Sequence, residues 1–364
     1  MINFMNDYNS PGHPAVLKAV AEASQNKYPG YACDEVCERA KKKIIMRLGQ
    51  KREADIHFLT GGTQANLTAI GAFLRPHEAV IAADSAHIQV HETGAIEAAG
   101  HKILLESWRR PPVTGKSPAV SSGEPSAQAD GKLSADDVSR LYRLHSDEHM
   151  VKPRLVYISQ STELGGVYSF RELAELRTVC HEYNLLLYMD GARLAAALVS
   201  DANDALLPDV AELCDAFYIG GTKNGLMFGE AMVIMNNSLK EDFRYHQKQR
   251  GGLLAKGFLL GLQFDAIFED DLYFKIAAHA DRMACRLKTG FEKQGVRFFV
   301  DSHTNQLFPI LSNGTINGLA GGFLFETWQE VDETHTAVRF VTSWNTTEEE
   351  VDALLGACAA NAVM

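Results

Sequence analysis

Four short stretches carry residue types that could act together on a small molecule. Lys223 lies in Gly220-Gly221-Thr222-Lys223-Asn224-Gly225, directly after an apolar run at 216–219. A lysine on a glycine-rich loop behind a buried strand can sit inside a cleft, where its amine can form an imine with an aldehyde cofactor. A solvated turn lysine would look the same, and the motif alone does not separate the two. Asp190 ends the run Leu185-Leu186-Leu187-Tyr188-Met189. A carboxylate at the end of a central strand is costly unless it meets a cation, and a protonated ring nitrogen is such a cation. It could also cap a helix beginning at Gly191-Ala192-Arg193-Leu194. Gly61-Gly62-Thr63 stands between an apolar run and a helical pattern, where small residues let backbone N–H groups and the helix dipole approach a phosphate. It lacks the lysine of a P-loop and the full spacing of a dinucleotide fingerprint. His87 follows Ala83-Asp84-Ser85-Ala86, where an imidazole could stack on a planar ring or simply be structural.

The elements that must hold these residues alternate. His13-Pro14 opens a helix running toward Gln25, with proline where its missing N–H does no harm. Val36, Ala40 and Ile44 mark the face of a second helix that stops near Gly49. Strand-like runs fall at 56–59, 79–83, 103–105, 155–159, 185–189, 216–219 and 231–235, with a helical pattern at 64–74. Several runs are continuously apolar, which suits strands buried on both faces. Ser169-x-x-Glu172 is a capping box before Leu173, Leu176, Cys180 and Tyr183. Alternation of this kind predicts an α/β fold with a mostly parallel sheet and helices on both faces. Residues 109–131, rich in Pro, Ser, Gly and Ala, read as a flexible surface insertion. Beyond Met235 come helices at about 238–268 and 271–294, strands near 296–300 and 338–341, and a last helix capped by Thr346-x-x-Glu349. This pattern divides the chain into a large domain at 1–239 and a smaller α+β domain at 240–364.

Composition narrows the class. The 364 residues carry a formal net charge of -11 with no basic block, a poor match to nucleic acid or an anionic membrane. Local cations could still bind a small anion. No stretch approaches the ~18 apolar residues of a membrane span, and the N-terminus lacks a basic start and apolar run, so a cytoplasmic protein is expected. The six cysteines suggest buried thiols in a reducing compartment. Cys33 and Cys37 have no second pair at ligand spacing, so no metal site is expected.

Phosphate loop, stacking residue, strand-end aspartate and lysine occur in the chain order of a fold-type I pyridoxal-5′-phosphate (PLP) enzyme. The chain resembles the low-specificity L-threonine aldolases of the β-eliminating lyase superfamily. The resemblance rests on Asp190-Gly191-Ala192-Arg193-Leu194, Gly221-Thr222-Lys223-Asn224-Gly225 and Val338-Arg339-Phe340-Val341-Thr342-Ser343-Trp344. Gly62-Thr63-Gln64-Ala65-Asn66, Ala86-His87-Ile88 and Thr162-Glu163-Leu164-Gly165-Gly166 support it. It covers nearly the whole length except the insertion.

The resemblance implies that Lys223 holds PLP as a Schiff base, Asp190 pairs with the pyridine nitrogen, His87 stacks on the ring, and Gly62 and Thr63 hold the phosphate. It implies that Arg193 and Arg339 clamp an amino-acid carboxylate with help from Ser10, since each arginine presents a forked donor pair. Tyr31 matches a tyrosine near the cofactor. Arg250 and Lys256 would reach a neighbour's phosphate in a homo-oligomer, commonly a tetramer, with shared sites. The implied reaction is retro-aldol cleavage of threonine to glycine and acetaldehyde. The loop at Ser161-Thr162-Glu163 lacks the histidine that many threonine aldolases carry, so Glu163, His91 or an ordered water would serve as the base. The competing readings are β-elimination or transamination on the same scaffold, or a PLP-binding interaction partner without catalysis.

Overall fold

The computed structural model describes residues 1–49, 53–106 and 130–361. The expected insertion at 109–131 lies, except for its last two residues, outside the described residues.

The first strand, β1 (Ile2–Asn3), pairs with a strand far along the chain. The central sheet follows as β2 (Asp55–Leu59), β3 (Glu78–Ala83), β4 (Ile103–Glu106), β5 (Lys152–Ser159), β6 (Leu186–Asp190), β7 (Ala216–Gly220) and β8 (Glu230–Ile234). Their spatial order is β2-β8-β7-β6-β5-β3-β4. The pairs joining β4, β3, β5, β6 and β7 are all parallel, while β8 runs antiparallel to both β7 and β2. The carboxyl ends of β2, β3, β5, β6 and β7 therefore share one edge. In an open α/β sheet that edge is where ligands bind.

These strands read as unbroken apolar runs because both faces are covered. Ala79, Ile81 and Ala83 belong to one hydrophobic core, and Val80 and Ala82 to the other. Val156 and Ile158 likewise divide from Leu155 and Tyr157, as the two-residue period of a strand requires. The flanking helices start as their sequences dictate. Asp34 accepts from Cys37 N at the head of the helix Glu35–Leu48, and Ser169 and Glu172 form the expected capping box ahead of Phe170–Glu182.

The chain past Met235 first returns to this body. The helix Phe258–Ile267 packs against Glu35–Leu48 and Pro14–Glu22, and Phe243–Gln249 packs against Gly62–Phe73. The long helix Leu272–Lys293 leads to a second layer. It contains β9 (Gln306–Leu307), β10 (Ile310–Ser312), β11 (Phe323–Leu324), β12 (Glu326–Glu330) and β13 (His335–Val341). Here β10 and β12 flank β13, β9 also pairs with β13, and β11 takes β1 as its parallel partner. The N-terminal residues thus join the C-terminal layer, and Phe4 lies in its core.

Two local expectations are corrected. Residues 296–300 form no strand; only an isolated bridge, Phe298 to Pro309, ties them to the following segment. The last helix, Glu348–Asn361, is capped one residue later than expected. Thr347 Oγ1 accepts from Glu350 N, while Thr346 Oγ1 is taken by Ser343 N. All six cysteines are free thiols, and no cluster of metal-binding side chains occurs among the described residues. Nor is any helix among them long and apolar enough to cross a membrane.

Candidate active site

Strand geometry builds the centre. Tyr188 and Asp190 are two residues apart on β6 and share a face, and Tyr157 on β5 pairs in register with Tyr188. Asp190 is buried and accepts from Tyr157 Oη at 2.6 Å, Asn66 Nδ2 at 2.9 Å, Ala192 N at 2.9 Å, and Tyr218 Oη. Burial pushes this carboxyl up, but His87, the two phenols and Asn66 together hold it below the usual range. Four donors on one buried carboxylate keep it ionised for a cationic partner. Gly191 lets β6 leave the sheet here, since a Cβ on it would overlap the Tyr218 carbonyl.

Lys223 emerges from the turn after β7. Glu230 on the adjacent strand accepts from Gly221 N at 2.9 Å and Thr222 Oγ1 at 2.7 Å, and Asn224 Nδ2 donates to Tyr273 O at 2.8 Å. Gly225 closes the turn at φ +85°, the left-handed region that favours glycine. Burial and the neighbouring Arg193 lower the affinity of the Lys223 amine for a proton, against the opposing pull of Asp7, Asp190 and Glu230. A lysine amine so disposed is a nucleophile nearer to neutral pH than a free one. The solvated-turn alternative is thereby set aside.

Gly62 begins the helix Gly62–Phe73, whose cap residue Gly61 provides no side-chain hydrogen bond. The first N–H groups of a twelve-residue helix thus lack a side-chain cap at the same sheet edge. Thr63 stands in that first turn. His87 opens the short helix His87–Val90, and its Nδ1 lies 2.7 Å from Glu92 Oε1.

Both guanidinium groups meet carboxylates of the chain itself. Arg193 points Nε and Nη2 at buried Asp7, at 2.7 and 3.1 Å, and Asn305 Nδ2 also donates to Asp7 at 2.9 Å. Arg339 meets Glu326 through Nη2 and lies 5.3 Å from the Trp328 ring centre, while its Nε is buried without a partner. Burial and the charge of Arg193 both push the Arg339 guanidinium down. Tyr8 lies with its ring centre 6.0 Å from Lys223 Nζ. Asp7 and Tyr8 thus bring the N-terminal segment to Arg193 and Lys223, and Ser10 follows in the same segment, partly exposed.

His91, Glu163, Glu326 and Trp328 line an adjoining cleft of about 410 Å³. Burial, then His87 and Arg339, lower the proton affinity of His91. Glu163 is raised by burial, while its Oε1 accepts from His87 N at 3.0 Å and Ser159 Oγ at 2.7 Å.

Three expected residues are not brought to this cluster within the chain. Tyr31 is surface-exposed, with its ring 4.6 Å from Lys248 Nζ and its backbone held by Arg244 and Ala255. The Arg250 side chain runs along the helix Gly62–Phe73 to Gly71, where a Cβ would collide with it. Gly71 is about 13 Å from the first turn by helical rise. Lys256 is exposed on the surface.

Sequence reasoning missed Asp7, Asn66, Glu92, Tyr157, Tyr218 and Glu230. Asn66 is a polar residue among buried Ala65, Thr68 and Ala69, a pattern that marks a buried hydrogen-bonding role. Tyr188-Met189-Asp190 carries a period-two signal. Asp7 has no such local sign.

A lysine on the turn, a donor-laden carboxylate at the strand end and an open helix N-terminus thus share one sheet edge. The model of the beta-eliminating lyase family matches residues 3–313. The chain belongs to the beta-eliminating lyase family. It is 32% identical to the low specificity L-threonine aldolase of Pseudomonas aeruginosa over 357 residues, covering 96% of this chain and 94% of that one. The structure of Leishmania major threonine aldolase superposes with a TM-score of 0.91 at 42% identity, covering 99% of both chains. A Sphingomonas wittichii serine palmitoyltransferase shares the fold at a TM-score of 0.69 and 15% identity, covering 99% of this chain and 86% of that one. This beta-eliminating lyase thus has the expected fold: a mostly parallel central sheet flanked by helices, and a smaller C-terminal sheet.

Proposed function

We propose that this chain is a PLP-dependent carbon–carbon lyase that cleaves L-threonine, L-allo-threonine and related β-hydroxy-α-amino acids to glycine and an aldehyde. The observation that carries the reading is that Lys223 feels the charges of Asp190, Arg193 and Asp7, while Arg339, with its unpartnered Nε, feels the same Arg193 and Asp7. The two threonine aldolases that the chain resembles along its length support the choice of reaction.

The residues fit PLP. The helix N-terminus at Gly62 and Thr63 offers N–H groups to a phosphate, Lys223 offers the amine that holds the aldehyde carbon, and Asp190 suits a ring nitrogen. When bound, PLP supplies a ring that takes up negative charge developing at the substrate's Cα. Asp190 keeps the proton on the ring nitrogen, which its four donors allow by favouring its ionised form. Arg339 offers its unpaired Nε to the substrate carboxylate, and Arg193, already half engaged by Asp7, adds a second positive charge nearby. Two fixed cations orient the bond to be broken, so the alignment is set before reaction. His91, favoured in its neutral form and lining the cleft, is the candidate acceptor of the β-hydroxyl proton. Glu163 is the second candidate, with one oxygen already engaged.

In this reading residues 1–239 bring the cofactor-binding groups and the C-terminal region from 240 brings Arg339. Arg250 and Lys256 serve a neighbouring protomer's site in a homo-oligomer, a tetramer of cytoplasmic subunits. The test is a paired assay of wild type and Lys223→Ala with PLP and L-threonine, recording the cofactor spectrum, glycine and acetaldehyde. Both products from wild type and neither from the variant support the reading. Cofactor binding without either product would overturn the cleavage assignment, and pyruvate with ammonia from serine would move it to β-elimination.

A further inference from the structure

The hydrogen bonds around Asp190 do not stop at Asn66. The Asn66 amide places one N–H on Asp190 Oδ2 at 2.9 Å and the other on Glu92 Oε1 at 2.8 Å, and its oxygen accepts from Tyr188 Oη at 3.0 Å. Every polar atom of that side chain is used, so the tyrosine fixes which way the amide faces. Glu92 Oε1 also meets His87 Nδ1 at 2.7 Å. The carboxyl side chain of Glu92 has no solvent exposure, and its Oε2 is buried without a partner. A buried carboxyl with one oxygen doubly engaged and the other empty is an expensive arrangement for mere packing. The loading is one-sided because both groups that need an acceptor, Asn66 and the imidazole, converge on Oε1.

We propose that Glu92 is a positioning residue for His87: its carboxylate makes Nδ1 the protonated ring nitrogen, fixes the plane of the ring, and ties it through Asn66 to Asp190. The proposal rests on the PLP reading for its purpose, since His87 is placed there to lie against the cofactor ring. The hydrogen bonds themselves do not depend on that reading. Asn66 cannot replace Glu92, because both its N–H groups are spent and its oxygen faces Tyr188. With Nδ1 held as a donor, Nε2 is the ring nitrogen left for any other partner. One hydrogen-bonded string, His87–Glu92–Asn66–Asp190, then links the residue that would stack on the cofactor to the residue that would pair with its nitrogen. A plain structural strut from the bend at Glu92 to the helix Gly62–Phe73 would need only the Asn66 contact and would leave the state of the imidazole to chance.

The experiment is nitrogen NMR on the full-length chain labelled at its histidine rings, with and without PLP. The His87 signals are identified by their loss in His87→Asn. In wild type, Nδ1 should carry a proton on both sides of neutral pH. In Glu92→Gln, which keeps the shape but removes the charge, the two ring nitrogens should move toward an average of both tautomers. The kcat for threonine cleavage should fall roughly tenfold to a hundredfold, by analogy with the loss of the partner that orients a metal-ligating histidine, with KM little changed. A bare Nδ1 in wild type overturns the proposal, and needs no variant to fold. A folded Glu92→Gln protein with unchanged ring signals overturns it as well. Failure to bind PLP would sink the functional reading while leaving the ring signals to decide the role of Glu92.

Discussion

Replacing Asp7 by Asn isolates the charge balance of the site. Asp7 is 2% exposed and accepts from Nε and Nη2 along one edge of Arg193, whose side chain is 11% exposed. Removing one partner of a buried pair leaves the other charge without compensation, at about 3–5 kcal/mol. Asparagine has nearly the same shape but can offer the guanidinium only one acceptor oxygen, and its amide N–H groups would face the donors of Arg193 or Asn305. The loss is a large part of a net stability of order 5–15 kcal/mol. Asp301→Asn is the control. Its partner Lys288 is also near the surface, Asp301 is 71% exposed, and such a pair contributes less than about 1 kcal/mol. Both variants should be unfolded by urea and by heat at one protein concentration, because association shifts apparent stability. Asp7→Asn should unfold well before Asp301→Asn. The sign with pH follows from the direction of the Asp7 shift. Burial pushes its carboxyl up, but Arg193 and Lys223 outweigh burial and hold it low. Its contribution is therefore complete above the ordinary carboxylate range and disappears as pH falls through the lowered value. The gap between wild type and Asp7→Asn should close on acidification. If Asp7→Asn is no less stable than Asp301→Asn near neutral pH, the pair does not balance the site and the reasoning fails.

Tyr218→Phe removes one of the donors that hold Asp190 low, so the acid limb of PLP binding, followed by cofactor absorbance, should move to higher pH; an unmoved limb would show that the phenol does not set this charge. Arg339→Lys keeps the charge but loses the fork, and KM for L-threonine should rise roughly tenfold to a hundredfold, from the 1.5–3 kcal/mol typical of hydrogen bonds to charged groups, with kcat less affected; an unchanged KM would remove Arg339 from carboxylate binding. Glu230 is raised by burial from 4.5 to about 7. The folded protein then binds more protons than the unfolded one between those values, so stability should fall by on the order of 3 kcal/mol as pH rises across that window. Glu230→Gln should flatten that slope in pH-resolved urea melts, and an unaltered slope would assign it to another group.

What could be read in the sequence was what is local. The strands announced themselves because the sheet is covered on both sides. Their ends then located Asp190, Gly62, His87 and Lys223 on one edge, since β2, β3, β6 and β7 all run in the same direction. The cap at Ser169 was legible for the same reason, being complete within four residues. The cap on the last helix shifted to Thr347 because two adjacent threonines each stand three residues before a glutamate, and only the fold assigns Thr346 to Ser343. Residues 296–300 have strand composition, yet their partner segment meets them at a single bridge.

The rest depends on partners distant in the chain. Asp7 meets Arg193 across 186 residues, and Asn66 meets Asp190 across 124. Neither spacing leaves a periodic trace. The role of Asp7 was hidden for the same reason, for the first residues are held by the pairing of Ile2 with Phe323 in the C-terminal layer. That pairing brings an acidic residue beside Arg193, while β12 brings Glu326 beside Arg339. Both arginines that the resemblance assigned to the substrate thus have a carboxylate of the protein's own. They are not equivalent, however. Arg193 has two of its donor nitrogens on Asp7 and is fixed in place, whereas Arg339 keeps a buried Nε with no acceptor. An unmet donor at that depth is destabilising until an acceptor arrives. Arg339 is therefore the arginine with most to gain from a substrate carboxylate, and Arg193 acts chiefly as the fixed charge that lowers the proton affinity of the Lys223 amine.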